Sequence, residues 1–381
     1  MVNTTHPELY HGWKPDPNGR GTAALLYSSL VTIFLCTWSA LHINVPPDAY
    51  GPWRVLMLKL QWMLLTVFAP EYTVGMACWR LPWVVALKKR LAKLQADMEK
   101  GESSTEPKSL AFCQLVIMGG FCLQTPDGSR YRLDVDQFLT LVEARNIPLP
   151  DVSERDIGDR SKADWLLKTL TIVQVLWFVV QVIGRAIQHL PVTPLELMTL
   201  AYVSYALVIY GAWFTKPKDV LTPFVLRVDK VPEIYPRIER HPEKCQLNGP
   251  PYSIERQSSI TILVSVLIIG SSCVFGVFHL IAWNFFFQTS VEKMLWRISS
   301  ALCLGTASLF SLYVILVGDL FKRRVEFFTP IKSFSEVIVI MLGIVYIAAR
   351  LYLLGAVFAD LRAVPVGVYS TVNWARYIPH I

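Results

Sequence analysis

Seven apolar stretches constrain this chain more than any other feature. A helix needs roughly 20 apolar residues to cross the hydrocarbon core of a bilayer. With an apolar content of 53% and a mean hydropathy of +0.40, these stretches predict an all-α fold: a polytopic transmembrane helix bundle of about seven spans with a small cytosolic insertion. They begin at Thr22, Val55, Leu166, Leu195, Ile260, Ile298 and Ser335, and end near Ile43, Trp79, Ile187, Phe214, Ala282, Gly318 and Phe358.

The second stretch is the weakest of the seven. Lys59, Gln61 and the Pro70-Glu71 pair interrupt it, and a proline ends or kinks a helix because it lacks an N–H donor. Two arrangements are therefore open: a single span, or a short span followed by an interfacial helix. A six-span bundle is the alternative to seven spans.

The positive charge is concentrated between the apolar stretches. Segments 80–164, 215–259 and 319–332 hold about 13, 8 and 4 Lys and Arg residues, whereas 42–53 and 188–194 hold none. Cytosolic loops carry the excess of basic residues. The N-terminus is therefore predicted to be cytosolic, in an integral multi-pass protein of the endoplasmic reticulum. Topology accounts for the net charge of +7, so no nucleic acid is expected as a partner.

These boundaries divide the chain into seven consecutive parts. Residues 80–164 are expected to contain a basic amphipathic piece, Leu81 to Lys100, and a hairpin with a turn at Pro126-Asp127-Gly128. Asn3-Thr4-Thr5 fits the glycosylation pattern, but in this orientation it faces the cytosol and stays unmodified. The parts are an N-terminal cytosolic segment at 1–21, the first two spans at 22–79, a cytosolic module at 80–164, spans 3 and 4 at 165–214, a cytosolic loop at 215–259, spans 5 to 7 at 260–358 and a C-terminal tail at 359–381.

Sequence motifs for cofactors and metals are absent. The chain has no phosphate-binding loop, no His-Glu-x-x-His, no Gly-x-Ser-x-Gly, no dinucleotide-binding glycine pattern and no Asp-rich diphosphate motif. Its seven Cys residues include no Cys-x-x-Cys pair, so neither a disulfide framework nor a zinc site is indicated. We predict that the protein uses no cofactor and no metal.

Polar side chains within the apolar stretches are the candidates for a binding site. They are costly in lipid, so we expect them to face the interior of the bundle. Gln181 and Arg185 share one face of the third span, and His279 and Arg350 lie at a similar predicted depth. We predict that these four residues and Trp177 bind substrate, with aromatic faces available to a cation. The alternatives are interhelical hydrogen bonding for the polar residues and an interfacial position for the tryptophan.

Three acidic residues are candidates for proton transfer or charge compensation. Glu196 and Glu292 are the acids nearest in depth to the buried arginines, which need counter-charges. Each also ends a capping-box pattern that begins with a Thr three residues earlier. Glu71 follows Pro70 in an apolar setting without a nearby cation, where a carboxyl stays protonated as a general acid requires. A first-turn helix residue is the alternative for Glu71, and we predict Glu71 and Glu196 as catalytic.

Short strings along nearly the whole chain resemble a group of multi-pass proteins of filamentous fungi. They are Phe34-Leu35-Cys36-Thr37-Trp38-Ser39-Ala40-Leu41-His42, Asn44-Val45-Pro46-Pro47, Ala69-Pro70-Glu71, Ser161-Lys162-Ala163-Asp164, Gln174 with Trp177, Phe178 and Gln181, Leu195-Glu196 with Thr199-Leu200-Ala201, Lys216-Pro217 with Asp219-Val220, and Tyr377-Ile378-Pro379-His380-Ile381. In function the chain resembles the membrane-bound terpene cyclases of fungal meroterpenoid clusters, the type that acts in ascofuranone, ascochlorin and macrophorin pathways.

This resemblance implies a lipophilic, prenylated substrate. The farnesyl tail of a prenylated polyketide enters the bundle, an acid protonates its terminal epoxide or alkene, and ring closure ends by proton loss. A dry aromatic cavity suits such chemistry because it protects cations from water. No cofactor is implied, and the expected partners are the substrate and membrane lipids. A multi-pass transporter or an accessory membrane protein of a biosynthetic cluster is the alternative function.

Overall fold

The computed structural model of the chain describes residues 8–16, 19–98, 107–160, 164–228, 258–320 and 329–374. Asn3 and the strings at 161–163 and 377–381 lie outside these residues. The described part is mainly helical, and three short 3-10 helices follow the bundle helices at Ala282–Asn284, Asp360–Arg362 and Val366–Tyr369. In chain order the other elements are β1 (Leu9–His11), α1 (Thr22–Ser39), α2 (Pro52–Phe68), α3 (Pro70–Trp79), α4 (Leu81–Met98), α5 (Leu110–Ile117), β2 (Phe121–Gln124), β3 (Arg130–Arg132), α6 (Val135–Glu143), α7 (Glu154–Asp159), α8 (Asp164–Ile187), α9 (Pro194–Ala212), β4 (Phe224–Arg227), α10 (Ser258–Ile281), α11 (Ser290–Leu320), α12 (Thr329–Ala359) and β5 (Ala363–Pro365).

Five helices among the described residues are long and apolar enough to cross a membrane. A further long helix, α11, packs against both α10 and α12. The prediction of a largely α-helical protein with membrane-spanning helices is confirmed at this level, although five such helices are fewer than the predicted seven. The five spans cover Thr22–Ser39, Leu166–Ile187, Pro194–Ala212, Val266–Asn284 and Val337–Arg362.

The predicted second span is instead a pair of helices. α2 ends at Phe68 and α3 begins at Pro70. Proline lacks an N–H and disfavours helical geometry in the residue before it, and Ala69 accordingly has φ −139° and ψ 68°. The hydroxyls of Thr66 and Thr73 form a hydrogen bond of 2.9 Å across the break. The two helices therefore fold back on each other as a hairpin.

Both ends of this hairpin lie at the same end of the bundle. At the end of α3, Arg80 donates a hydrogen bond of 2.7 Å to Asn44 Oδ1, in the segment that leads into α2. Midway along α2, Lys59 pairs with Asp219, just beyond the end of α9, at 2.8 Å. A hairpin that returns to its starting side does not cross the bundle. Stretch 55–79 is therefore a re-entrant hairpin: its division at Pro70 agrees with the alternative of a divided stretch, and the single span is not formed.

A separate hydrophobic core lies at this same end of the bundle. Helices α4, α5 and α6 pack against a three-stranded sheet of order β3-β2-β4, and we call residues 81–160 and 220–228 the module. The predicted hairpin is present as β2 and β3, and Gly128 supplies the positive φ of +84° that its turn requires. Strand β4 pairs parallel with β2, with Phe224 opposite Phe121. The sequence did not predict β4, because four residues give too short a pattern.

Candidate functional site

A cavity of about 490 Å³ lies between the hairpin helix α3 and helices α10, α11 and α12. Its walls are mainly apolar and include Met76, Trp79, Ile268 and Leu342. This volume and composition are typical of small-molecule sites, which place a few polar groups on an apolar surface. We call this space the hairpin cavity.

Glu71 is the one charged side chain among the described residues that line the hairpin cavity. It stands in the first turn of α3, directly after Pro70. The hydroxyl of Tyr346 on α12 donates a hydrogen bond to Glu71 Oε2. The helix macrodipole favours a carboxylate at this position. Glu71 is therefore both a first-turn residue and a polar group of the cavity wall, so the two interpretations of this residue coexist.

Arg350 lies one turn beyond Tyr346 on α12 and is fully buried. Its Nη2 donates to the Tyr202 hydroxyl at 2.9 Å, its Nη1 lies 3.3 Å from His279 Nε2, and its guanidinium lies 4.2 Å from the centre of the Phe275 ring. Arginine has donors and no acceptor, so His279 Nε2 must accept. The proton of His279 is then on Nδ1, which donates to the Phe275 carbonyl at 3.0 Å. The histidine is neutral.

Tyr202 connects this cluster to the tip of the hairpin. Its hydroxyl accepts from Arg350 and donates to the carbonyl of Val67 at 2.5 Å. Val67 lies in the last turn of α2, immediately before the break at Ala69, and Ala69 lines the cavity. The chain of hydrogen bonds from Arg350 through Tyr202 therefore fixes the tip that carries Glu71.

Within the described residues the two buried arginines form no ion pair with the acids predicted for them, although Glu196 interacts electrostatically with Arg185. Arg350 interacts electrostatically with Glu71. The sequence prediction placed Glu71 either in the cytosolic third of its stretch or at a break within it, and without a nearby cation. The structure has the break, and the hairpin brings Glu71 to the depth of Tyr346, one turn from Arg350, which corrects the expectation of no nearby cation. The two predicted acids are paired elsewhere, Glu196 with Arg20 at 2.5 Å and Glu292 with Arg362 at 2.6 Å.

Glu196 forms the capping box that its sequence pattern predicts. The Thr193 Oγ1 accepts from the Glu196 backbone N–H at 3.3 Å, and Glu196 Oε2 accepts from the Thr193 backbone N–H at 2.9 Å. Its other carboxylate oxygen accepts from Arg20. These contacts explain its burial at the start of α9. Glu196 does not line the hairpin cavity, so the structure does not bring the two predicted catalytic acids together.

Arg185 is satisfied by main-chain carbonyls. Its guanidinium makes five hydrogen bonds of 2.7 to 3.1 Å to four carbonyl oxygens. Arg185 thus joins the end of α8 to the segment that follows β5, so its role is structural. The acceptors are the carbonyls of Pro191, Gly367, Val368 and Ser370.

The other predicted binding residues of α8 lie apart from the cavity. Trp177 is 51% exposed on the outer surface and packs against Trp374, with ring centroids 5.8 Å apart. Gln181 is half-buried on the same helix. Two turns before Gln181, Gln174 Nε2 donates to Thr32 Oγ1 on α1 at 3.0 Å, which is the interhelical hydrogen bonding expected as the alternative. Of the five predicted binding residues, the structure brings together His279 and Arg350.

Sequence reasoning missed Tyr202 and Phe275 and did not assign Tyr346 to the site. Tyr346 had a usable signal, because it stands four residues before Arg350 and so on the same helix face. Tyr202 and Phe275 had none, since each lies within an uninterrupted apolar stretch and acquires its role through contacts between helices. Within the described residues there is no group of three or more His, Cys, Asp or Glu residues that could hold a metal ion.

Comparison with known proteins places the chain in a family without assigning an activity. A family model described as a family of unknown function (DUF8562) matches residues 1–235 and 257–381. No curated protein and no solved structure matches the chain. The matched residues include the hairpin, the bundle helices and every residue of the Glu71 and Arg350 clusters. The chain therefore belongs to this family of unknown function, DUF8562.

Proposed function

We propose that the protein is a membrane-bound terpene cyclase that closes rings in a prenylated, farnesyl-bearing polyketide during meroterpenoid biosynthesis. The observation that supports this proposal best is the Glu71 and Tyr346 pair on the wall of an apolar cavity of about 490 Å³. An acid in a water-poor, apolar site is the minimum that proton-initiated cyclisation requires. The sequence resemblance to fungal meroterpenoid cyclases points to the same chemistry.

The surroundings of the cavity suit a substrate that arrives from lipid. Tyr72 and Ile347 line the cavity and are 42% and 40% exposed on the surface of the bundle. An opening between α3 and α12 therefore faces outward among apolar residues. A farnesyl tail can enter there without passing through water, with its polar head group left at the membrane surface.

Glu71 is the proton donor in this proposal. In the proposed step the proton leaves from Oε1, because Oε2 accepts from the Tyr346 hydroxyl. Transfer to a terminal epoxide oxygen breaks a C–O bond, or transfer to a terminal alkene forms a C–H bond. The resulting cation is attacked by the π electrons of the next alkene, which forms the ring. Loss of a proton from the final cation returns it to the Glu71 carboxylate, and Trp79 offers an aromatic face to the intermediates. The reaction is an isomerisation and needs no cofactor.

We propose that the protein resides in the endoplasmic reticulum membrane with six crossing helices. These are the five apolar helices and α11, whose stretch from Ile298 to Gly318 is also apolar. The hairpin of α2 and α3 enters from the module side and returns to it. Six crossings and a re-entrant hairpin take the place of the seven spans expected from sequence.

The test compares product formation by matched variants in microsomes fed with a prenylated precursor. Glu71→Gln keeps the shape of the side chain and removes its proton, so we expect a loss of at least about 100-fold, the contribution typical of general acid catalysis. Tyr346→Phe should lower the rate less, because it leaves the acid in place. Glu292→Gln is the control, since Glu292 pairs with Arg362 outside the cavity. Product formation by Glu71→Gln at the rate of the unchanged protein would refute the assignment.

A transporter is the second candidate, and the hairpin is the observation that favours it. Transporters often build substrate sites at helices that break within the membrane, where a helix N-terminus faces the substrate. The N-terminus of α3 at Pro70 has this character. In the same microsomes, accumulation of the precursor in the lumen without chemical change would favour transport. Conversion to a cyclised product of equal mass favours the cyclase.

A further inference from the structure

The contacts of α1 fix its direction relative to the rest of the bundle. At its start, Arg20 pairs with Glu196 at 2.5 Å, at the beginning of α9. At its end, the Ser39 carbonyl accepts from Lys218 Nζ at 2.7 Å, just beyond the end of α9. Helices α1 and α9 are therefore parallel. The N-terminal segment lies at one end of the bundle, and residue 40 and beyond lie at the other.

The C-terminal segment lies at the same end as the N-terminal segment. Strands β1 and β5 pair antiparallel, with Tyr10 opposite Val364. Thr22 Oγ1 and the Tyr369 hydroxyl form a hydrogen bond of 3.0 Å. We call this end of the bundle, with the starts of α1 and α9 and the end of α12, the terminal face.

The module lies at the opposite end. The segment that follows α1 is bound to it, because Arg132 donates to the carbonyls of Val45 and Pro46 at 2.6 and 2.7 Å. The re-entrant hairpin starts and finishes here as well. We call this end the module face. A single crossing by α1 therefore separates the two faces.

The two faces differ strongly in basic residues. The segments that connect helices whose ends lie at the module face, 80–164, 215–259 and 319–332, contain 13, 8 and 4 Lys and Arg residues in the sequence. Basic residues accumulate on the cytosolic side of membrane proteins. The module face is therefore cytosolic and the terminal face lumenal, the reverse of the orientation predicted when stretch 55–79 was counted as a crossing. The basic residues of the terminal segments and of the start of α11 are Lys14, Arg20, Lys293, Arg297, Arg362 and Arg376.

The sequence contains a single Asn-x-Ser/Thr pattern, Asn3-Thr4-Thr5. Glu8, the first residue of the described part, lies on the terminal face, where its carbonyl accepts from the Val366 N–H at 2.9 Å. A chain extends at most about 3.6 Å per residue, so the five steps from Glu8 to Asn3 reach roughly 18 Å. The hydrocarbon core is about 30 Å thick. Asn3 therefore stays on the side of the membrane where Glu8 lies.

We propose that the terminal face is lumenal and that Asn3 is an N-glycosylation site. The donor is a lipid-linked oligosaccharide diphosphate of the endoplasmic reticulum. The bond between the sugar C1 and the diphosphate oxygen breaks, a bond from C1 to Asn3 Nδ2 forms, and one amide proton leaves with the lipid diphosphate. This inference rests on the membrane location proposed above and is independent of the cyclase activity.

The test uses the full chain expressed in a eukaryotic cell with an N-terminal epitope tag. Digestion with a peptide N-glycosidase should increase gel mobility by the mass of one glycan. Asn3→Gln should abolish this shift, and Thr5→Ser should retain it. As a matched control, Glu102→Asn in the Asn3→Gln background creates an acceptor pattern at 102–104 on the module face and should produce no shift.

Protease treatment of sealed microsomes provides a second measurement that does not depend on glycan transfer. The N-terminal tag should be protected until detergent is added. Digestion of the tag in sealed vesicles, or a glycan at position 102, overturns the orientation. A protected tag without any shift in the unchanged chain overturns the modification of Asn3. Failure of the orientation or of the Asn3 modification can be told apart from failure of the cyclase proposal, because the cyclase assay measures product formation alone.

Discussion

Arg185 and Arg350 are both buried in helices of the bundle, yet their surroundings differ. Arg185 makes its five hydrogen bonds to main-chain carbonyls that have no other role in the site. Arg350 contacts side chains, Tyr202 and His279, and within the described residues its Nε has no hydrogen-bond partner. Arg350 also lies one turn from Tyr346, which lines the hairpin cavity, whereas Arg185 closes the junction of two chain segments. The comparison teaches that the acceptors of a buried charge, more than its burial, separate a structural residue from a functional one.

The sharpest test of this difference is the loss of the Arg185 guanidinium. Arg185→Met removes a buried charge and its five hydrogen bonds to main-chain carbonyls, so we expect a loss of about 3–5 kcal/mol in stability. Thermal unfolding of the detergent-purified protein measures it. Arg362→Met is the control, because Arg362 is half exposed and should change stability by less than about 1 kcal/mol. A stable Arg185→Met protein with reduced product formation would make Arg185 functional.

Arg350→Met should have the opposite profile. Replacing a buried charge by an apolar side chain is often tolerated, so we expect a stability change below about 2 kcal/mol. Product formation per folded protein should fall by roughly 10- to 100-fold, because Tyr202 loses a donor and the hairpin tip that carries Glu71 is held less firmly. Arg350→Lys, which retains the charge without the forked geometry, should recover part of the activity. If Arg350→Met unfolded much of the protein while the folded fraction kept full activity, Arg350 would be a structural residue like Arg185.

Tyr202→Phe tests the link between Arg350 and the hairpin tip. Two hydrogen bonds are lost, including the one to Val67, so we expect a cost of about 1–2 kcal/mol. The rate should fall less than in Arg350→Met, since Arg350 keeps its contacts with His279 and Phe275. Tyr27→Phe, on the exposed surface of α1, is the control and should behave like the unchanged protein. Equal effects of the two Tyr→Phe changes would remove Tyr202 from the site.

The smallest effect is expected at Trp177. It is half exposed and packs against Trp374, so Trp177→Leu should change stability by about 0.5 kcal/mol or less and leave product formation unchanged. Trp79→Leu is the matched change within the cavity and should alter the rate or the product pattern. Product analysis in microsomes measures the rate and the product pattern of both variants. A large loss in Trp177→Leu alone would move the substrate site to α8.

Several features of the fold could be predicted because they are local in sequence. The apolar stretches gave the spanning helices, Pro70 marked the break in the second stretch, and the Thr193 to Glu196 pattern gave a capping box that the structure contains. Each of these signals depends on residues within one helix or one turn, where spacing determines which side chains meet. The turn at Gly128 belongs to the same class.

The candidate site could be predicted only in part, because its contacts join residues far apart in the chain. Tyr346 and Glu71 are separated by 275 residues, and Arg350 and Tyr202 by 148. The sequence selected Glu71, His279 and Arg350 by their polarity within apolar stretches. It could not show that Glu71 shares a wall with Tyr346, nor that Glu196 lies elsewhere.

The sequence by itself determined that this chain forms apolar helices with a few buried charges, because the hydrophobic effect and backbone hydrogen bonding act on each stretch separately. Only the tertiary structure decided that stretch 55–79 returns to its starting side. Pro70 permits either a kink or a reversal, and contacts with distant residues select the reversal, Tyr202 at the tip and Asn44 at the base. That choice sets the depth of Glu71 and places both ends of the hairpin at the end of the bundle where the module lies.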